Sequence, residues 1–286
     1  MSGRYNPMAT IKQLIADGEA ALACSDSARL DAEILLALSL NNTRTWLYTW
    51  PDHVPNLPQQ HMYLDLLRRR KAGEPVAYLV HRREFWGLDL KIDHHVLIPR
   101  PETELLVQTA LDALAGNAAA RVADLGTGSG AIALALASEQ PQWQIIAMDI
   151  SGEALELARD NASRLDITNV IFSSGEWLAP LAGMTLDAIV SNPPYIAEGD
   201  PHLAEGDVRF EPVHALVSAD AGLADIRRIV EDSPAHLVPG GYLMLEHGYD
   251  QGAAVREIFA AAGFTEVATH RDLAGLERVT TGTITG

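Results

Sequence analysis

From residue 121 onward, short apolar runs alternate with segments of helical period, and this alternation limits the fold more than any other feature. Strands are expected at 121–125, 144–149, 170–172, 186–190, 241–246, 264–269 and 277–283. Helices are expected at 130–139, 153–165, 222–237 and 250–262. Alternation of this kind implies an α/β fold, a mostly parallel sheet with helices on both faces. In such sheets ligands bind beyond the carboxyl ends of the strands.

Residues 9–72 read instead as helices. Thr10 can cap 11–22, and Asp26 or Ser27 can cap a segment with Leu30, Ile34, Leu35 and Leu38 on one face. Trp46 and Trp50 stand near a turn ended by Pro51, and Pro58 opens a further helix. That helix ends in Arg68-Arg69-Arg70-Lys71, a basic run that either complements the helix dipole or docks an acidic partner. Residues 75–100 change to β-type composition and are expected to form a small hairpin linker. Pro99-Arg100-Pro101 makes a rigid bend into a helix at 103–115, where Arg100 either reaches a ligand carboxylate or serves a hinge. The expected domains are thus a helical one at 1–74, the hairpin at 75–100, and an α/β domain at 101–286.

Charge separates along the chain. Residues 1–100 hold 12 Lys/Arg against 11 Asp/Glu, whereas 101–286 hold 9 against 27, with no lysine after Lys91. Proteins that grip nucleic acid neutralise phosphates with Lys/Arg, so direct nucleic-acid binding is not expected. No run reaches the ~18 apolar residues of a membrane span, and the amino terminus lacks a signal-peptide layout. The lone Cys24 excludes an internal disulfide framework and is expected in the core. A cytoplasmic monomer is expected.

Two motifs carry chemistry. Asp124-Leu125-Gly126-Thr127-Gly128-Ser129-Gly130 closes the first strand and opens a helix. Its glycines permit close backbone approach, and free N–H groups at the helix start favour a negative group. Asp149 ends the next strand, where an acid can accept ribose hydroxyls. The second motif, Ser191-Asn192-Pro193-Pro194-Tyr195, follows the fourth strand. Its prolines fix φ and stiffen the turn. Taken alone, such a turn also serves simply to end a strand. The Asn192 carboxamide oxygen and the Pro193 carbonyl can each accept one N–H from a planar amide or base amine, and the Tyr195 ring can stack on that group. The histidines show no metal-ligand spacing, and no metal is expected.

The glycine loop resembles motif I of Rossmann-like class I S-adenosylmethionine methyltransferases, and Asn192-Pro193-Pro194-Tyr195 resembles the branch that modifies planar nitrogens. With the helical amino-terminal domain, Ile98-Pro99-Arg100-Pro101-Glu102-Thr103-Glu104 and Arg209-Phe210-Glu211-Pro212, nearly the whole chain resembles the PrmC/HemK family, the peptide chain release factor glutamine N5-methyltransferases. The resemblance implies that Gly126, Thr127, Gly128, Ser129 and Gly130 line the methionine and ribose end of S-adenosyl-L-methionine. It places Asp149 on the ribose, Trp177 beside the adenine and Asn192 against both cofactor and substrate. The Asn-Pro-Pro-Tyr tetrapeptide would hold the glutamine of a Gly-Gly-Gln loop, and the product would be S-adenosyl-L-homocysteine. The competing expectations are an amino-methyltransferase acting on adenine N6 or guanine N2, which needs a basic groove, and a non-catalytic nucleoside-binding scaffold.

Overall fold

The computed structural model describes residues 8–285. Residues 1–7, most of the stretch read as lacking a signal peptide, lie outside the described residues. The chain divides into two compact units, Met1–His81 and Arg82–Gly286.

The first unit is helical: α1 (Ile11–Ala21), α2 (Ala28–Leu40), α3 (Arg44–Thr49), α4 (Leu57–Lys71) and α5 (Val76–Val80). Local signals set these limits. Thr10 and Asn56 build capping boxes with Gln13 and Gln59, and Asn41 in the left-handed region stops α2. Ile11, Leu14, Leu35, Leu36, Leu47, Tyr63 and Leu66 form its core. Gly18 lets α4 approach α1, since a Cβ there would lie 2.1 Å from the Tyr63 hydroxyl. That hydroxyl donates to the Leu14 carbonyl at 3.1 Å.

Three expectations for this unit change. Cys24 is exposed, because Leu22 takes the buried position at the end of α1. Residues 76–80, read as β-type, form a short helix after Pro75, whose φ of −57° suits a helix start. The run Arg68-Arg69-Arg70-Lys71 does close α4, but Arg68 pairs with Asp65, Arg69 with Glu74 and Arg70 with Asp31. Its arginine charge is thus answered within the unit.

The second unit opens with a hairpin, β1 (Arg82–Phe85) and β2 (Leu88–Lys91). It is fastened to the fold that follows. Asn161 accepts the Lys91 N–H at 2.7 Å and donates to its carbonyl at 3.0 Å, and the Trp86 indole donates to Glu139 at 2.8 Å. A 3-10 turn, Pro101–Thr103, leads into α6 (Glu104–Ala113).

Then come β3 (Arg121–Leu125), α7 (Ala131–Glu139), β4 (Gln144–Asp149), α8 (Gly152–Arg164), β5 (Val170–Ser174) and β6 (Leu186–Ser191). Two short strands, β7 (Ile196–Ala197) and β8 (Val217–Ser218), pair with each other. The single turn α9 (Ala219–Gly222) precedes α10 (Ala224–Asp232), β9 (Leu237–Glu246), α11 (Gly252–Ala261), β10 (Phe264–Arg271) and β11 (Glu277–Ile284). The helix expected at 222–237 is shorter because Pro234 breaks it into a 3-10 turn, and β9 begins at Leu237.

Seven strands form one sheet in the order β10-β11-β9-β6-β3-β4-β5. The pairs β9–β6, β6–β3, β3–β4 and β4–β5 are parallel, while β11 is antiparallel to both its neighbours. Val122, Ala123, Leu125, Ile145, Ala147, Ile189 and Val190 are fully buried at its centre, as expected for a sheet covered on both faces. The one polar residue inside the β6 run, Asp187, accepts from Asn117 and from the Arg121 N–H. The chain lays down β3, β4 and β5 outward, then returns to the other side of β3 with β6. That reversal is the switch point at which open α/β sheets bind ligands.

Candidate active site

The loop after β3 is built by its own backbone. Gly126, Gly128 and Gly130 have φ of 71°, 55° and 85°, a region that side chains disfavour. The Thr127 N–H continues the strand pairing to the Met148 carbonyl at 2.8 Å. Asp149 accepts the Gly128 N–H on one oxygen and the Ser151 N–H on the other, both at 2.9 Å. From beneath, Asp124 accepts the Thr127 hydroxyl at 2.6 Å and the Ala133 N–H at 3.1 Å. Burial pushes the Asp124 carboxyl up to about 7, against those two bonds, and its Oδ1 is buried without a partner. The Trp177 ring covers the loop: a Cβ on Gly126 would lie 3.6 Å from it. Trp177 itself has φ of 46°, and such strain in a non-glycine residue costs about 1–2 kcal/mol.

The second wall leaves β6. The Ser191 hydroxyl donates to the Leu125 carbonyl at 2.6 Å, tying the end of β6 to that of β3. Gln251 donates to the Tyr195 carbonyl at 3.0 Å. Gly222 packs on the same carbonyl, which a Cβ would meet at 2.1 Å. Between these anchors, Asn192 donates through Nδ2 to the Thr103 hydroxyl at 3.2 Å, and the Tyr195 hydroxyl donates to Glu246 Oε1 at 3.4 Å. Burial drives the Glu246 carboxyl up to about 7, opposed by Thr103, Arg278 and Tyr195. Burial also raises the Tyr195 phenol, so it stays protonated.

A cavity of about 290 Å³ lies between the walls. Gly126, Thr127, Gly128, Ser129, Asp149, Trp177, Asn192 and Pro194 line it. Gly130, Pro193 and Tyr195 are not on its wall: Gly130 caps α7, Pro193 is buried, and the Tyr195 ring packs on the core. Arg100 is neither a free ligand contact nor a bare hinge. It grips Glu211 through two bonds of 2.7 and 2.8 Å, and the Glu211 side chain is wholly buried. Burial lifts that carboxyl up to about 7 although Arg100 pulls it down. At the cleft edge, Asp93, His94 and His95 bring one ligand atom each within 4.8 Å of one another. Asp93 accepts the His95 N–H at 2.9 Å, which accounts for this turn.

Sequence reasoning quoted Asp124, Thr103 and Glu211 only as members of motifs, with no role of their own, and gave none to Glu246. An acid ending an otherwise apolar run, as Glu246 ends 241–246, is a readable sign of a buried charge with a task.

Comparison with known proteins identifies the chain. The PrmC N-terminal domain profile matches residues 13–80 and the methyltransferase small domain profile matches residues 101–206. The release factor glutamine methyltransferase of Vibrio cholerae is 54% identical over 259 residues, covering 90% of each chain. That of Pseudomonas aeruginosa is 52% identical over 275 residues, covering 96% of this chain and 99% of the relative. The chain belongs to the release factor glutamine methyltransferase family. Like its family, it is an S-adenosylmethionine-dependent methyltransferase. Solved structures agree in fold alone. A Pyrococcus furiosus methyltransferase superposes with TM-score 0.53 at 18% identity over 78% of this chain and 99% of its own. A ribosomal protein L11 methylase from Lactobacillus delbrueckii gives 0.51 at 20% identity, over 69% and 86%. The residues suit the cofactor: three left-handed glycines leave an open cradle, and an indole covers it.

Proposed function

We propose that this chain methylates the side-chain amide nitrogen of the glutamine in the Gly-Gly-Gln loop of peptide chain release factors. The observation that carries the site assignment is the orientation of Asn192. Its Nδ2 is taken by Thr103, so its Oδ1 is available to a donor in the cavity it lines. Asn192 Oδ1 accepts one N–H of the glutamine amide, and the Pro193 carbonyl, set back from the cavity wall between Asn192 and Pro194, accepts the other. An amide nitrogen is a poor nucleophile because its lone pair is delocalised. Holding both protons favours a pyramidal nitrogen and aims the lone pair, so the acceleration comes from orientation and electrostatics. Pro194 and Tyr195 keep the turn rigid, and no strong base is needed before transfer.

When bound, S-adenosylmethionine supplies the methyl group and leaves as S-adenosyl-L-homocysteine. The 126–130 loop holds its methionine and ribose end, Asp149 its ribose and Trp177 its adenine. The helical unit docks the release factor. The protein acts as a cytoplasmic monomer, and the step needs no metal. Among the described residues no helix is long and apolar enough to cross a membrane. Nucleic acid is not the substrate: the curated relatives bear the release-factor name, and residues 101–286 are strongly acidic.

The test is incubation with methyl-labelled cofactor and a release factor. Label should reach the wild-type factor and not one whose Gly-Gly-Gln glutamine is replaced. Transfer to RNA or DNA instead would overturn the proposal.

A further inference from the structure

The guanidinium of Arg100 is only partly spent. It carries five N–H groups, and both bonds to Glu211 leave from the same nitrogen, Nη2, one to each carboxylate oxygen. Among the described residues, neither Nε nor Nη1 has an acceptor. The side chain is 31% exposed, whereas that of Glu211 is wholly enclosed. The head group is thus gripped at one nitrogen and open at the other two.

Its backbone is held as well. Pro99 and Pro101 flank it and restrict the dihedrals of the bend. The Arg100 carbonyl accepts the Thr103 N–H at 3.1 Å, and the Pro99 carbonyl accepts from Arg83 Nε at 3.2 Å. This bend forms a rim of the cleft. Pro99 and Thr103 line the cavity and Arg100 does not, while the Thr103 hydroxyl accepts the Asn192 amide. The spare donors therefore stand outside the cavity, on the bend that also holds Asn192.

Charge narrows the ligand. An anion gains little from a cation whose charge Glu211 already answers. Fixed N–H donors on a pair that is neutral once Glu211 is ionised suit an uncharged acceptor. A glycine loop offers such acceptors, main-chain carbonyls that no side chain shields, and main-chain hydrogen bonds are a general means of seating an extended peptide.

We propose that Arg100 anchors a glycine carbonyl of the release factor's Gly-Gly-Gln loop through Nε and Nη1, with Glu211 as the positioning residue that holds the guanidinium. This rests on the substrate reading given above.

The test uses the full chain, S-adenosylmethionine and release factor at pH 8, above the value of about 7 for Glu211. Arg100→Lys keeps a cation for Glu211 but gives up the planar fork. It should raise KM for the release factor about tenfold, the scale of one lost hydrogen bond, and lower kcat far less, as loss of uniform binding does. Cofactor affinity by calorimetry should stay near wild type. The second arm is a release factor ligated from a synthetic segment in which one loop glycine carries a thiocarbonyl, a weaker acceptor. At one of the two glycines this change should raise KM for the wild-type enzyme and add nothing for Arg100→Lys.

A folded Arg100→Lys with wild-type KM, or effects of the two changes that simply add, would overturn the anchor. So would a loss of cofactor affinity in Arg100→Lys, which would give the guanidinium to the cofactor carboxylate. Should the lysine variant not fold, an unchanged wild-type KM for both thio-substituted factors overturns the anchor by itself. Failure of the wild type to label any release factor would strike the substrate reading beneath it.

Discussion

The two walls of the cleft are held in different ways. The β3 wall is backbone: glycines at positive φ, an N–H carried on to β4, and a carboxylate that takes two main-chain donors. The β6 wall is side chain: Asn192 leans on Thr103, 89 residues away in sequence, and Tyr195 on Glu246, 51 residues away. A backbone cradle suits a ligand that must be held in the same way each time. Side-chain hydrogen bonds to distant partners suit a group whose orientation must be set. Changes on the first wall should therefore alter cofactor affinity, and changes on the second should alter turnover.

The strongest test of that contrast is Asn192→Ala. It should reduce kcat by about 10³-fold, roughly 4 kcal/mol of barrier, with a much smaller loss of cofactor affinity by calorimetry. A matching loss of cofactor affinity would break the division.

Glu246→Gln sharpens it through stability. The Glu246 carboxyl is raised from 4.5 to about 7 in the folded protein. Its contribution is thus full below about pH 4.5 and is lost as pH rises through about 7. Glutamine has no such titration. The stability of the variant relative to wild type should grow between pH 4.5 and pH 8 by on the order of 3 kcal/mol, as read by urea titration. A gap independent of pH would contradict it.

Arg100→Ala removes the partner of a buried carboxylate. It should destabilise by about 2 kcal/mol, below the 3–5 typical of fully buried pairs because Arg100 is partly exposed. Thermal unfolding near pH 8 would show this best.

The mildest change is Gly128→Ala, at φ 55°. Its backbone strain of about 1 kcal/mol should weaken cofactor binding several-fold and leave kcat nearly intact. A larger effect on kcat than on affinity would reverse the assignment of the walls.

Legibility in the sequence follows the same contrast. Strands β3, β4 and β6, buried along most of their length, leave contiguous apolar runs and could be seen for that reason; β5 and β10, at the two edges of the sheet, are half-buried or exposed along most of theirs. The glycine loop and Asn192-Pro193-Pro194-Tyr195 are contiguous, so their backbone consequences are local. Thr103, Glu246 and the Arg100–Glu211 pair become partners only once the sheet is assembled, and no local period announces them. The errors have local causes too. The β-branched Val76 and Val80 suggest a strand, but Pro75 starts a helix turn. Cys24 follows apolar neighbours but falls just past the last buried position of its helix.

Asp149 carries a consequence for the catalytic cycle. Each of its oxygens is already pinned by a main-chain donor, so a ribose seated there, as proposed above, would meet a carboxylate whose orientation is fixed. That seat lies on a part of the ligand which methyl loss does not alter. Fresh and spent forms gain equally from it, and such uniform binding cannot favour turnover. On that proposal accumulated product should compete with its own precursor, as product-inhibition kinetics would show.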